Sequence, residues 1–191
     1  MMRRVRGRAR GFTLAELMAV VAIMGVLSAI AIAAFHRRAY QSDAANAKVV
    51  IKAIAVAEEH FRAENQVYLD VSSAGDPGWY PAKTFPQMTR RTFWLTEPDA
   101  GGSTETNRWR ALMPDIRGQV TSGFKCNAGL PNSPSPSLLL ESGSGVTLPT
   151  ANPVEPWYLI QARSDFDSDG LASYIVAASW TPEIVVVNEG E

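Results

Sequence analysis

The chain has 191 residues, of which 46% are hydrophobic, and its formal net charge at pH 7 is −1. This length supports one modest folded domain with an anchor segment and excludes two large domains. Five arginines fall within the first ten residues, leaving 13 basic against 19 acidic residues in the remainder, which therefore lacks the basic footprint of a general nucleic-acid-binding protein.

Cys126 is the single cysteine of the chain. An intramolecular disulfide is therefore excluded. A structural zinc site needs three or four ligands, and besides this cysteine the chain offers only two histidines and carboxylates, so we expect no structural zinc. We expect Cys126 to be a small buried apolar residue.

The first predicted element is an apolar helix from Phe12 to Phe35. Three polar residues interrupt it, namely Thr13, Glu16 and Ser28. At about 1.5 Å per residue, this stretch spans about 36 Å of helix, which is enough to cross a bilayer core. The arginines precede it and only the weaker His36–Arg38 group follows, so the positive-inside bias predicts a cytoplasmic N-terminus and a translocated remainder.

A conventional secretory signal peptide is the alternative interpretation of this stretch. It has a basic region, an apolar region and small residues suited to cleavage near Ala33 or Ala34. Glu16 argues against this interpretation, because a charge is costly to insert into lipid and a discarded signal would gain nothing from it.

The helical pattern continues beyond the apolar run. Apolar residues recur at steps of three and four and form one stripe: Ala47, Val50, Ile54, Ala57 and Phe61. No proline or glycine interrupts residues 29 to 61. The pattern predicts one helix from about Phe12 to about Glu64, with Glu58 and Arg62 as an i, i+4 pair of favourable order.

The motif GFTLAELMAVVAIMGVLSAIAIAAF, residues 11 to 35, resembles the N-terminal signature of the type IV pilin family, which includes the pseudopilins of type II secretion. A short basic leader ends in Gly11, and Glu16 is the fifth residue after it. The segment AEEHFRAENQVYL, residues 57 to 69, is similar to the end of the family's long helix. The resemblance implies a leader at 1–11, a transmembrane or filament-core helix half at 12–35 and a globular head at 36–191.

The same resemblance implies specific roles for three residues. A prepilin peptidase would cut between Gly11 and Phe12, the new amino group of Phe12 would be methylated, and Glu16 would pair with the Phe12 amine of an adjacent subunit. The implied partners are other copies or other pilins, the peptidase and inner-membrane assembly machinery. The implied location is the inner membrane for the single-pass precursor and an extracellular or periplasmic filament afterwards.

The head is predicted to carry an antiparallel sheet packed on the helix, which gives an α+β fold. Residues 71 to 117 are rich in turn signals, with a short helix expected near 84 to 95. Four segments are rich in β-branched and aromatic residues and predict strands: 119–128, 156–163, 171–180 and 183–188, with TPE as the last turn. The proline- and serine-rich stretch between the first two strands predicts an exposed loop, in which SLLLE either docks locally or faces a neighbouring subunit.

One segment of the head has a spacing suited to a metal. Asp165, Asp167 and Asp169 alternate before Gly170, and carboxylates so spaced in a tight loop can converge on calcium. The segment is not an EF-hand, because Val176 stands at the twelfth position. An Asx-rich turn exposed to water is the competing interpretation.

No catalytic motif is present, and we expect a protein that is not an enzyme. His60 is expected to be a solvated or head-facing helix residue, and the five tryptophans are expected in the core or in subunit contacts. Three functions remain open: a pilus subunit, a pseudopilin or minor pilin, and, from a different class, a secreted calcium-binding module with a conventional signal peptide.

Overall fold

The structure is a computed structural model, and it describes residues 12–72, 78–81, 91–93, 103–133, 140, 143–149, 154–165 and 170–188. The chain divides into two compact units, Met1–Ala39 and Tyr40–Glu191. Helix α1, Leu14–Asn65, has 52 residues and belongs to both units. The prediction of one uninterrupted helix is therefore confirmed, with its C-terminal end within a residue of the expected position.

The remaining elements are short and lie in the second unit. In chain order they are β1 Arg91–Thr92, α2 Ser103–Leu112, β2 Gln119–Val120, β3 Gly123–Gly129, β4 Trp157–Ser164, β5 Ser173–Ala178 and β6 Thr181–Val187. Strands β3, β4, β5 and β6 form an antiparallel sheet in that order, and β1 pairs with β2 in a separate two-stranded sheet. The architecture is the α+β class that the sequence predicts.

The main core lies between the second half of α1 and one face of the four-stranded sheet. Ala47, Val50 and Ile54 are buried, and Ala57 and Phe61 pack against them half-buried. Their partners alternate along the strands and point to the same face: Cys126, Ile160, Ala162 and Ile175. The predicted apolar stripe is thus confirmed as the surface that joins helix to sheet, and Cys126 is a free, fully buried thiol.

The opposite face of the sheet has a smaller core. Trp157, Leu159, Val176 and Ala178 form it, and it is covered by the half-buried Leu140, Val146, Leu148 and Trp180. Three of these covering residues come from the stretch predicted as an exposed loop. Leu140, the last leucine of SLLLE, therefore docks locally on the sheet.

The predicted strand 119–128 is two strands in two sheets. Residues 119 and 120 pair with β1, whereas pairing in the main sheet begins at Gly123. The break falls at Thr121 and Ser122, which are buried, and Ser122 Oγ shares a 2.5 Å hydrogen bond with Ser164 Oγ. At this point a side-chain hydrogen bond takes the place of regular backbone pairing between strands. β-Propensity alone does not predict such a break.

The prediction that TPE forms the last turn is wrong. The chain turns at Ser179 and Trp180, and Thr181, Pro182 and Glu183 already belong to β6. The strand accommodates Pro182 because β6 is at the edge of the sheet and the missing N–H has no ladder partner to lose.

The helix expected near residues 84 to 95 is not confirmed. Its residues 82–90 and 94–95 lie outside the described residues, and Arg91–Thr92 form a strand. Helix α2 lies further along the chain, in a turn-rich stretch for which no helix was predicted. Its Trp109 and Leu112 are buried and three residues apart, a helical spacing that the sequence does display.

Candidate processing and assembly segment

Helix α1 begins with a capping box formed by Thr13 and Glu16. The backbone N–H and the hydroxyl of Thr13 each donate a 2.9 Å hydrogen bond to Glu16 Oε2, and the Glu16 N–H donates to Thr13 Oγ1 over 3.3 Å. Such reciprocal bonds satisfy backbone donors that the first turn of a helix otherwise leaves unpaired. The spacing T-x-x-E in the sequence is typical of this arrangement.

The capping box directs the Glu16 carboxylate toward the start of the helix. A carboxylate at this end also interacts favourably with the helix dipole. Its two oxygens can accept more hydrogen bonds than Thr13 donates. The arrangement therefore leaves Glu16 able to accept a further donor, such as an ammonium group, next to Phe12.

The segment that follows is apolar and exposed. Residues Leu14–Ile32 form the one helix among the described residues that is long and apolar enough to cross a membrane, with a mean hydropathy of 2.3 and no buried residue. Phe12 is 89% exposed, and Gly11 lies outside the described residues. The predicted cleavage and assembly roles of Gly11, Phe12 and Glu16 stay predictions at this point.

The head contains a buried carboxyl group, that of Glu58, whose burial the helical spacing does not predict. Glu58 is fully buried. Its Oε2 accepts from the Leu69 N–H over 2.9 Å, and its Oε1 accepts from the Cys126 thiol over 3.1 Å. Arg62, its predicted partner, instead contacts Glu155 and the Tyr68 hydroxyl at 2.9 Å each. The predicted Glu58–Arg62 pair is therefore wrong.

Glu58 links α1 to the chain segment after Leu69, which is hydrogen-bonded alongside β3. The N–H groups of Val71 and Ser72 both donate to the Cys126 carbonyl, and Asn127 Nδ2 donates to the Ser72 carbonyl. Burial raises the pKa of Glu58 to about 7, although its two hydrogen bonds oppose the shift. Burial likewise raises the pKa of the Cys126 thiol, with Glu58 adding to the effect, so this thiol is a poor nucleophile.

The structure describes only part of the predicted calcium site. Asp165 is 2% exposed, and its Oδ2 accepts a 3.1 Å hydrogen bond from the Gly170 N–H. Asp167 and Asp169 lie outside the described residues. Within the described ranges, no group of three or more His, Cys, Asp and Glu residues could hold a metal ion. Calcium binding and the competing Asx-rich turn both stay predictions, since the Asp165–Gly170 bond spans five residues whereas an Asx turn spans two.

Among the described residues, His60 is exposed, whereas four tryptophans are buried or half-buried. The His60 side chain is 78% exposed, and its Nδ1 lies 3.9 Å from Glu64 Oε1, as expected of a solvated helix residue. Trp109 and Trp157 are buried, Trp79 and Trp180 are half-buried, and Trp94 lies outside the described residues.

Comparison with known proteins bears on the N-terminal segment. Residues 6–32 match the family model described as a prokaryotic N-terminal methylation motif. The chain is 42% identical over 80 residues to the type IV major pilin protein PilA of Myxococcus xanthus (strain DK1622). The match covers 42% of this chain and spans 36% of that relative's length. No solved structure matches the chain.

Proposed function

We propose that this type IV pilin-like protein is a structural subunit of a type IV pilus or a related filament. The observation that carries the proposal is the methylation motif at residues 6–32, which coincides with an exposed apolar helix bearing one carboxylate near its start. The similarity to a protein named as a major pilin supports the same role. A structural role is also consistent with the expectation that the chain is not an enzyme.

Processing would occur at the junction of Gly11 and Phe12. A prepilin peptidase would remove the basic leader on the cytoplasmic side, and the freed amine of Phe12 would be methylated. Phe12 precedes the Thr13 cap and is almost fully exposed, which supports access to it. The precursor would cross the inner membrane once, with its N-terminus in the cytoplasm, before assembly machinery adds it to a filament.

Glu16 would set the position of each subunit in the filament. A carboxylate in an apolar medium is tolerable only when it is paired, and a paired charge specifies register during assembly. The ammonium of Phe12 on an adjacent subunit is a suitable partner. The capping box supports this role, because it directs the Glu16 carboxylate toward the helix start, where such an ammonium would approach.

The test compares Glu16→Gln with Glu64→Gln in the native host. Glu64 is an exposed carboxylate near the other end of the same helix, so it controls for loss of one negative charge. Removal of a pair worth about 1.4 kcal/mol per interface weakens subunit addition about tenfold. We expect Glu16→Gln to lower the yield of sheared filament about tenfold while leaving the chain processed at the same residue, and Glu64→Gln to assemble.

Equal filament yields from both variants would contradict the role of Glu16. The kind of filament is a separate question, and the similarity to a major pilin favours an abundant surface pilus over a pseudopilus or a minor component. Loss of surface filaments and motility on deletion would agree with that assignment, whereas loss of protein export alone would favour a pseudopilin.

A further inference from the structure

The chain segment that follows α1 is held against the head by hydrogen bonds. Residues 66–72 form this segment, the strap. The N–H groups of Val71 and Ser72 both donate to the Cys126 carbonyl of β3, and Ser72 Oγ accepts from the Cys126 N–H over 3.2 Å. Because β3 is an edge strand of the four-stranded sheet, the strap covers part of that edge.

The strap leaves α1 at a bend of one residue. Gln66 is the first residue after the helix, its φ is 63°, and its N–H donates to the Arg62 carbonyl over 2.8 Å. A left-handed residue at this position ends a helix and redirects the chain. Hinges are commonly a few residues at the end of an element, so the strap can move about Gln66 while α1 stays packed on the sheet.

Glu58 fastens the strap to both neighbouring elements. It projects from α1, and its two carboxyl oxygens accept from the Leu69 N–H of the strap and from the Cys126 thiol of β3. Glu58 has no exposed surface, so water reaches its carboxyl group only if one of these elements moves. The strap is the element that moves, because it contributes only Tyr68 and Val71 to the buried core, whereas the apolar stripe holds α1 on the sheet.

The charged groups that surround Glu58 favour its neutral form. Asp70 on the strap and Glu59 on α1 are acidic, and both add to the effect of burial, which raises the pKa of Glu58 to about 7. Arg62 and Arg108 are the nearby cations, and their described hydrogen bonds go to other groups than the Glu58 carboxyl. Three further titratable groups face this cluster from the strap, β3 and β4: Tyr68, Cys126 and Tyr158.

We propose that Glu58 is a pH-sensitive clasp whose ionisation releases the strap from α1 and β3 while the rest of the head stays folded. A neutral carboxyl group with two hydrogen bonds is tolerated in a buried position, whereas a carboxylate without a cation is strongly destabilised there. Opening of the strap hydrates the Glu58 carboxylate and separates it from Asp70. The clasp belongs to the head alone and does not depend on the proposed filament function.

The direction of the switch follows from the pKa of Glu58 in the two states. It is about 7 with the strap closed and returns toward the ordinary value of 4.5 once the carboxyl group is hydrated. The closed strap is therefore favoured at low pH. The equilibrium constant for opening rises about tenfold per pH unit between about pH 5 and 7 and levels off above this range. Asp70, whose pKa burial also raises, acts in the same direction.

Amide hydrogen exchange of the detergent-solubilised full chain tests the proposal. After correction for base catalysis, protection of the Leu69, Val71 and Ser72 amides should fall about tenfold per pH unit between about pH 5 and 7. These amides should exchange faster than those of β4 and β5 throughout, and low urea should accelerate only the latter, because local opening exposes little surface. Strap amides as well protected as β4 and β5, or protection that does not change with pH, would overturn the proposal.

Two variants assign the pH dependence to one carboxyl group. Glu58→Gln keeps an acceptor for the Leu69 N–H but cannot ionise, so protection of its strap should lose most of its dependence on pH. Glu64→Gln removes an exposed carboxylate from the same helix and should retain the dependence. The opposite result for either variant would overturn the proposal, and the unaltered chain decides the question by itself if Glu58→Gln does not fold.

The single thiol gives a second measure of opening. Cys126 is fully buried and its Sγ lies 3.1 Å from Glu58 Oε1, so the opening that hydrates Glu58 also admits a small reagent to the thiol. At about pH 8, the unaltered chain should react with N-ethylmaleimide more than about tenfold faster than Glu58→Gln. Comparison at one pH removes the dependence of thiolate formation on pH. Equal rates would overturn the proposal.

Discussion

Glu58 shows how one residue can acquire a role that its position on a helix does not reveal. The helical spacing places it four residues before Arg62, yet its carboxyl group is buried between Leu69 and Cys126. These partners lie 11 and 68 positions away along the chain, so no local pattern contains them. The Thr13–Glu16 pair, by contrast, is local, and its T-x-x-E spacing was sufficient to predict it.

The buried Glu58 predicts a pH-dependent stability of the head. Its pKa is raised from 4.5 to about 7 in the folded state, so between these values the folded chain retains a proton that the unfolded chain has lost. The free energy of unfolding therefore falls as the pH rises through this window, by about 3 kcal/mol at most, and levels off above pH 7. Half-buried Asp70, whose pKa burial also raises, contributes in the same direction.

Glu58→Gln isolates this contribution, since the amide retains an acceptor for the Leu69 N–H but does not titrate. Between pH 4.5 and 7, we expect the Tm of the detergent-solubilised full chain to fall less for this variant than for the unaltered protein. Tryptophan fluorescence is a suitable probe, because all five tryptophans follow residue 78. Parallel Tm profiles of the two proteins would contradict the assignment.

Asp165 provides a test of the predicted calcium site. If Asp165, Asp167 and Asp169 bind calcium, the Tm of the chain is higher in millimolar calcium than in a chelator, and Asp165→Ala removes that difference. An Asx-type turn alone would give the same Tm in calcium and in the chelator, with Asp165→Ala lowering both. A Tm that responds to neither the substitution nor the chelator would exclude the site.

Among the secondary-structure elements, α1 shows most directly how the apolar pattern of the sequence determines which face is buried. One face of its second half is buried on the sheet, whereas Val49 and Val56 are 64% and 69% exposed. Ile54→Ala should lower the free energy of unfolding by about 2–4 kcal/mol, because Ile54 is fully buried in the core. Val56→Ala is the control and should change it by less than about 0.5 kcal/mol.

Chemical denaturation followed by tryptophan fluorescence measures both variants. Similar losses of stability would contradict the assignment of the buried face. A large loss for Val56→Ala alone would place the sheet on the opposite side of the helix.

The elements differ in how well the sequence predicts them. Helix α1 and strands β4 and β5 have strong periodic or β-branched patterns, and their positions agree with the structure within a few residues. The break between β2 and β3 depends on a Ser122–Ser164 contact across 42 positions. Helix α2 depends on an aromatic cluster with Tyr80 and Phe93, and neither contact is visible in a local window of sequence.

At the scale of the whole molecule, the chain combines an apolar helical unit with a head that has its own core. The head binds its helix segment through apolar packing and through Glu58. The first unit exposes apolar side chains throughout Leu14–Ile32. An apolar surface of this extent needs lipid or neighbouring apolar helices around it. The proposed function provides both, because the segment lies in a membrane before assembly and among other helices in the filament afterwards.

The proposed filament function requires that this helix is retained in the mature protein and begins at a processed Phe12. The most direct measurement is the mass of the N-terminal peptide of the protein isolated from its own host. We expect a peptide that starts at Phe12 and is heavier by one methyl group. A peptide that starts near Ala34 or Phe35 would show that the apolar helix is a discarded signal, and would contradict the filament function.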